Sequence, residues 1–278
     1  MNTAQFAREG SYLMFALDHR GSFEKMFNSK NPDDLKQKAI ASKQALIEAT
    51  KEVMSGILID PEYGYPAYNN VFTNGGPPFL LCVEKSGYTD TNGERITELE
   101  YDISKLKERG ASGVKLLIYF NPFVGSAGVQ LETARKVLAD AHMNELPLFL
   151  EIVTYKSPQD VEGANLSVES LKMFLGEGIR PDVFKLEYPG GKEECHRIDE
   201  LVGTKTPWIL LTRGAEFDTF FEQLKDAVVA GADGFLAGRA LWQEYFTLED
   251  ENQKNEFLHT TLVDRFKKIS EVVRQAKQ

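Results

Sequence analysis

Cysteine is nearly absent from this chain. Cys82 and Cys195 are the only two in 278 residues, too few for a disulfide framework. Cys82 lies within an apolar run and reads as a buried free thiol, which fits a reducing compartment. Histidine is scarce as well. His142 and His259 fall in predicted helices, His196 follows the sixth apolar run, and only His19 stands at a predicted strand end. A zinc centre needs several such ligands converging on one ion, and this scatter does not supply them. A magnesium site built from Asp18, Asp60, Glu84 and Glu151 stays open, but no metal and no cofactor is assigned. Basic residues are outnumbered, 32 Lys and Arg against 42 Asp and Glu, for a net charge of −10. That balance argues against a nucleic-acid partner, though not against a small anion in a local positive pocket. No apolar run approaches the roughly 20 residues that span a bilayer. The polar stretch Met1–Glu9 and the short run Tyr12–Leu17 lack the basic start and cleavage site of a signal peptide. A cytoplasmic protein without a membrane partner is therefore expected.

What the chain does have is a repeated alternation. Eight short apolar runs recur: Tyr12–Leu17, Gly56–Ile59, Phe79–Val83, Val114–Tyr119, Leu148–Val153, Asp182–Leu186, Trp208–Leu211 and Gly234–Ala237. Runs that are apolar on both alternations suit parallel strands buried on both faces. Between them lie segments of helical spacing. Leu131, Ala134, Leu138 and Ala141 share one face; so do Val168, Leu171, Phe174 and Leu175 behind a Ser167 N-cap. Phe217, Phe220, Leu224 and Ala227 repeat the pattern, and Phe257–Val273 predicts one long closing helix. Gly110, Gly178 and Gly231 stand where helices should stop. Eight strand–helix units in a chain of this length predict a single-domain (β/α)8 TIM barrel over residues 1–278. An open doubly wound sheet would usually show a Gly-rich loop after the first strand, and Asp18-His19-Arg20-Gly21 is not that loop. The longest polar loop, Ser86–Arg95, is a candidate mobile lid.

Polar residues cluster at the C-terminal ends of the runs, where barrel enzymes keep their active sites. Asp18, Asp60, Glu84, Glu151, Glu187, Thr212-Arg213 and Gly238-Arg239 occupy these ends, with Lys115 and Lys185 inside the fourth and sixth runs. In Val183-Phe184-Lys185-Leu186-Glu187, alternation turns Phe184 and Leu186 toward the helices and Lys185 into the barrel. A lysine there is either a structural ion pair with Glu151 or Glu187, or a desolvated amine poised to attack a carbonyl. Lys115 puts a second ammonium into the same interior, and their mutual repulsion favours a neutral nucleophile. Glu151, on the strand between them, is placed for general acid–base work. The last two runs end in Thr212-Arg213-Gly214-Ala215 and Ala237-Gly238-Arg239-Ala240. Glycine N–H groups and an arginine at matched strand ends suit a phosphate, so a phosphorylated sugar is the expected partner.

These motifs resemble the class I aldolases typified by tagatose 1,6-bisphosphate aldolase, which also include the sulfofructose-phosphate aldolase. The resemblance rests on Phe15-Ala16-Leu17-Asp18-His19-Arg20-Gly21, Gly56-Ile57-Leu58-Ile59-Asp60-Pro61-Glu62-Tyr63-Gly64 and Val114-Lys115-Leu116-Leu117-Ile118-Tyr119. It continues through Phe149-Leu150-Glu151-Ile152-Val153-Thr154-Tyr155, Asp182-Val183-Phe184-Lys185-Leu186-Glu187 and Gly234-Phe235-Leu236-Ala237-Gly238-Arg239-Ala240-Leu241-Trp242. It implies Lys185 as Schiff-base lysine, Glu151 as acid–base residue, and Lys115, Asp18 and Arg20 at the carbonyl end of the substrate. Asp60, Glu84, Thr212, Arg213, Gly214, Gly238 and Arg239 complete the expected binding site. Dihydroxyacetone phosphate is the implied product, and a homo-oligomer is compatible. Three features depart from the pattern. The seventh run ends Leu211-Thr212-Arg213-Gly214 instead of in a serine turn, His19 replaces a glutamine, and the chain is shorter between runs five and seven. The segment Asp18–Phe23 and the Arg-Gly after run seven look more like the aldolase domain fused to inositol-catabolic kinases, associated with 2-deoxy-5-keto-gluconate 6-phosphate. Two readings outside this family stand beside it: a metal-dependent barrel lyase or isomerase, and a sugar-phosphate-binding regulator without turnover.

Overall fold

All eight apolar runs become parallel strands, and the first pairs with the last. The computed structural model describes residues 1–27 and 29–277. We number the barrel strands β1 (Ser11–Leu17), β2 (Gly56–Ile59), β3 (Phe79–Cys82), β4 (Gly113–Phe120), β5 (Leu148–Thr154), β6 (Val183–Leu186), β7 (Trp208–Leu211) and β8 (Gly234–Ala237). Each pairs with its sequence neighbours, and β8 closes onto β1 through Phe235 opposite Leu13 and Ala237 opposite Phe15. The order around the barrel is thus the order along the chain, and β4 faces β8 across it.

Helices follow the strands in turn: α1 (Pro32–Thr50), α2 (Gly64–Val71), α3 (Ile103–Glu108), α4 (Ala127–Met143), α5 (Leu166–Gly176), α6 (Lys192–Val202), α7 (Phe217–Ala230) and α8 (Val263–Ala276). Asn31 caps α1 and Pro32 opens it, as an N-terminus with a missing donor allows. Gly110, Gly178 and Gly231 all have positive φ where α3, α5 and α7 stop. Among the described residues no helix is long and apolar enough to cross a membrane.

Alternation along the strands sorts the core into two layers. Outward residues such as Phe184, Leu186 and Leu210 pack beneath the helices. Inward residues Tyr12, Met14, Leu58, Leu80, Phe149, Val183 and Ile209 form an apolar plug at the N-terminal end. Phe6 sits in that plug, its ring edge-on to Phe149 at 5.1 Å, because Ala7–Arg8 pairs antiparallel with the start of β1. The plug closes the barrel from below.

One local expectation is corrected, and two gain detail. Ser167 does not cap α5; Asn165 does, accepting from Val168 N at 3.1 Å. Asn165 also donates to Pro189 O at 2.6 Å, so the cap is tied to the loop after β6 and the helix starts earlier. The closing helix runs beyond Phe257–Val273, from Glu251 to Ala276, and carries a π-turn at Leu258–Leu262 ahead of α8. The polar loop Ser86–Arg95 contains a hairpin, Thr89–Thr91 against Glu94–Ile96. Asn92 and Gly93 carry its turn with φ of 56° and 84°, the conformation that two-residue hairpins need.

Candidate active site

Above the apolar plug, the inward positions of the strands turn polar and line a cavity of about 630 Å³ at the C-terminal ends. Its floor holds Lys115 from β4, Glu151 from β5 and Lys185 from β6, with Asp18 and Glu84 just past β1 and β3. Strand register makes this convergence: Glu151 is the Cα partner of Lys185 on β6. Glu151 Oε2 lies 2.8 Å from Lys185 Nζ and 3.2 Å from Lys115 Nζ, so one carboxylate oxygen bridges the two amines.

Lys115 is the better-enclosed amine, 1 % exposed, and takes Asp18 Oδ2 at 2.6 Å as well as Glu84 Oε1. Burial works against its charge, but Asp18, Glu84 and Glu151 outweigh burial and hold its pKa well above the ordinary value. It is a fixed ammonium. Three carboxylates thus surround Lys115, and one of them also reaches Lys185. The same charges act in reverse on the acids. Burial would raise Asp18, yet Lys115 and Lys185 hold it well below the carboxylate range; burial would raise Glu151, and Lys185 and Lys115 lower it. Both acids rest ionised. The Lys115 ammonium occupies the point where a cation bridging Asp18, Glu84 and Glu151 would sit.

The residues expected to hold a phosphate lie at β7 and β8. Thr212, Arg213, Gly238 and Arg239 line the cavity, and a Cβ on Gly214 would come within 3.0 Å of the Arg239 guanidinium. Arg213 and Gly214 have φ of 46° and 75° and form a tight turn closed by Ala215 N donating to Thr212 O at 2.9 Å. Arg239 Nε is buried and has no hydrogen-bond partner. Arg213 instead pairs with Glu187 and donates to Thr154 O at 2.7 Å. It ties β7 to β5 and β6, while half of its side chain stays exposed on the cavity. Glu187 is otherwise bonded to Thr154 and Ser167, and its burial raises its pKa despite Arg213.

Two expected site residues are displaced. Asp60 is fully buried outside the cavity. The chain turns directly after β2, so Asp60 pairs with Lys43 of α1 and accepts from Tyr63 N at 2.6 Å and Gly64 N at 3.0 Å at the start of α2. Arg20 lines the wall, but its guanidinium points into it, toward Glu100 Oε2 at 2.6 Å and Glu84 O at 2.6 Å. Neither offers a charge to a ligand.

The sequence reading gave His19 no role, and here it is part of the wall. Its ring is edge-on to Trp242 at 5.3 Å, and its buried Nδ1 has no hydrogen-bond partner. Burial lowers its pKa to about 4; Arg239, Lys43 and Lys185 add to this, and Asp18 opposes it. Lys43 was not visible as a site-supporting residue because it lies on a helix face. It is wholly buried, and it also donates to Leu17 O at 2.7 Å and His19 O at 2.8 Å, which fixes the turn that presents Asp18.

Comparison with known proteins gives the lineage. The family model for DeoC/LacD family aldolases matches residues 12–244. A tagatose 1,6-diphosphate aldolase of Staphylococcus aureus (strain bovine RF122 / ET3-1) is 31% identical over 91% of this chain and 88% of its own. Among solved structures, a Schiff-base-forming fructose-1,6-bisphosphate aldolase has a TM-score of 0.68 at 20% identity, covering 97% of this chain and 96% of that one. A fructose-bisphosphate aldolase from Plasmodium falciparum has a TM-score of 0.69 at 15% identity, over 97% and 92%. The structural likenesses speak for the barrel, and the matched sequence for the lineage: the chain belongs to the DeoC/LacD family of aldolases.

Proposed function

We propose that this aldolase works through a Schiff base on Lys185, cleaving a ketose bisphosphate of the tagatose 1,6-bisphosphate kind to dihydroxyacetone phosphate and an aldehyde. The observation that carries the reading is the 2.8 Å contact of Lys185 Nζ with Glu151 Oε2 on the floor of the cavity. An amine at a cavity floor with a carboxylate in hydrogen-bond reach is the arrangement that imine formation needs.

The steps follow from the positions. Lys185 gives a proton to Glu151 and its nitrogen adds to the C2 ketone, while the phosphate on C1 lies against Gly214, Gly238 and Arg239. A second proton passes from nitrogen to the alkoxide, and Glu151 then gives its own to the carbinolamine hydroxyl, which leaves as water. Lys115 stays charged beside this oxygen and stabilises negative charge there. Asp18 or Glu151 removes the C4 hydroxyl proton; the C3–C4 bond breaks and its electrons enter the iminium to give an enamine. The aldehyde departs, C3 is reprotonated, and water releases the ketone product.

Borohydride reduction in the presence of dihydroxyacetone phosphate and chelator, followed by peptide mass spectrometry, tests this. A reduced adduct on the peptide holding Lys185 supports the reading. No adduct on any lysine, with activity restored by a divalent ion, moves the chemistry to the carboxylates. The sulfofructose 1-phosphate and 2-deoxy-5-keto-gluconate 6-phosphate alternatives are separated by assaying cleavage of each.

A further inference from the structure

We infer that Arg95 forms a second anion subsite on the cavity rim, which receives a charged group at the far end of the substrate from the first phosphate. The inference rests on the proposed reaction for the placement of that first phosphate, and its own basis is the geometry of the hairpin.

Arg95 lies on the second hairpin strand, Glu94–Ile96, and lines the cavity. Its guanidinium is held among three tyrosines, with Cζ 4.6 Å from the Tyr88 ring centre, 5.1 Å from Tyr155 and 5.9 Å from Tyr119. Aromatic faces stabilise a partly desolvated cation and fix its plane, but they use none of its five N–H donors. Among the described residues, Arg20 and Arg213 are the cavity arginines paired to carboxylates; Arg95 and Arg239 are not. The acids of the hairpin are turned elsewhere. Glu94 accepts from Ser126 N at 2.6 Å, and Glu98 binds Lys85 and Thr89.

The backbone at Arg95 is pinned as well. Its N–H donates to Tyr155 Oη at 3.1 Å, and its carbonyl accepts from Gln130 Nε2 at 3.0 Å. The position of Arg95 is therefore set by β5 and α4, not only by the hairpin. Tyr119 is on β4 and Tyr155 follows β5, whereas Arg239 follows β8, and β4 lies opposite β8 around the barrel. The two arginines without a carboxylate partner thus stand on opposite rims, with Lys185 on the floor between them. Such a pair of cations on opposite rims suits a ketose with an anionic group at each end. Phosphate, sulfonate or carboxylate on the distal carbon shares the chemistry that a guanidinium fork recognises.

The test uses two inert ligands without a carbonyl, a hexitol 1,6-bisphosphate and a hexitol 1-phosphate, titrated calorimetrically into the full chain. The wild type is expected to bind the bisphosphate on the order of tenfold or more tightly than the monophosphate. In Arg95→Met that ratio falls to near one, while monophosphate affinity is unchanged and reports an intact fold. Should Arg95→Met also lose monophosphate binding, Arg95→Lys is read instead: a reduced ratio supports the subsite, and an unchanged ratio overturns it. A wild-type ratio near one overturns it too. Absence of the borohydride adduct on Lys185 would sink the Schiff-base reading and leave this ratio standing on its own.

Discussion

Glu151 and Lys185 face each other across β5 and β6, and Glu151 Oε2 lies 2.8 Å from Lys185 Nζ. Replacing Glu151 with glutamine keeps a hydrogen-bond partner but removes the group that moves protons. Glu151→Gln is expected to lower kcat by about 10²–10⁴-fold, the range for loss of a general acid–base residue. Its adduct with dihydroxyacetone phosphate should still form under borohydride, only more slowly. Lys185→Met should give no adduct. Turnover near wild type in either variant contradicts the assignment.

Lys115 has a different task, holding three carboxylates together. Lys115→Met leaves Asp18, Glu84 and Glu151 without their shared ammonium. Breaking a buried pair in this way costs about 3–5 kcal/mol, which denaturant unfolding would register. Adding Glu84→Gln should restore part of the stability without restoring activity, because the charge beside the reacting oxygen is still missing.

Asp60 gives the opposite result. It is buried against Lys43 and the start of α2 and does not reach the cavity. Asp60→Asn should destabilise by about 3 kcal/mol, as loss of a buried ionic partner does, with KM for the substrate little changed in the folded fraction. A large rise in KM at unchanged stability would return Asp60 to the binding site.

His19 predicts an acid-side loss of stability. Its pKa falls from an ordinary 6.5 in the unfolded chain to about 4 in the fold. Between those values the unfolded chain binds the extra proton and the folded one does not, so stability drops as pH falls from 6.5 toward 4. Its side chain keeps 22% of its surface exposed, which reduces the effect to about 1–2 kcal/mol. Unfolding at pH 7 and pH 4.5 should show a smaller difference in His19→Gln than in wild type. An equal difference in both removes His19 as the source.

The barrel was legible because both-face burial writes itself as uninterrupted apolar runs, and the strands match the runs to within a residue at each end, as at Gly56–Ile59 and Gly234–Ala237. The lysines were legible for the same reason: a charge inside a run such as Val183–Leu186 has no cheap structural explanation. Strand-end residues were less so. Asp60 and Asp18 occupy equivalent sequence positions, yet one caps a helix and the other lines the cavity, because the path of the loop, not the period of the strand, decides. Arg213 lines the cavity as expected, but its ion pair left no signal, for a related reason. Its pairing with Glu187 depends on two loops meeting in space. Arg95 left no periodic signal at all, since the rings around it come from Tyr88, Tyr119 and Tyr155 on three separate segments.

The apolar plug of Phe6, Tyr12 and Phe149 makes the cavity a cup with one mouth. Everything that enters must leave by the same opening, past the rim that admitted it. In the proposed reaction the aldehyde half is held by no covalent bond once C3–C4 has broken. The half tethered to Lys185 stays behind it. On that reading the single mouth sets a queue, in which the untethered fragment clears the doorway before water reaches the floor and releases the other.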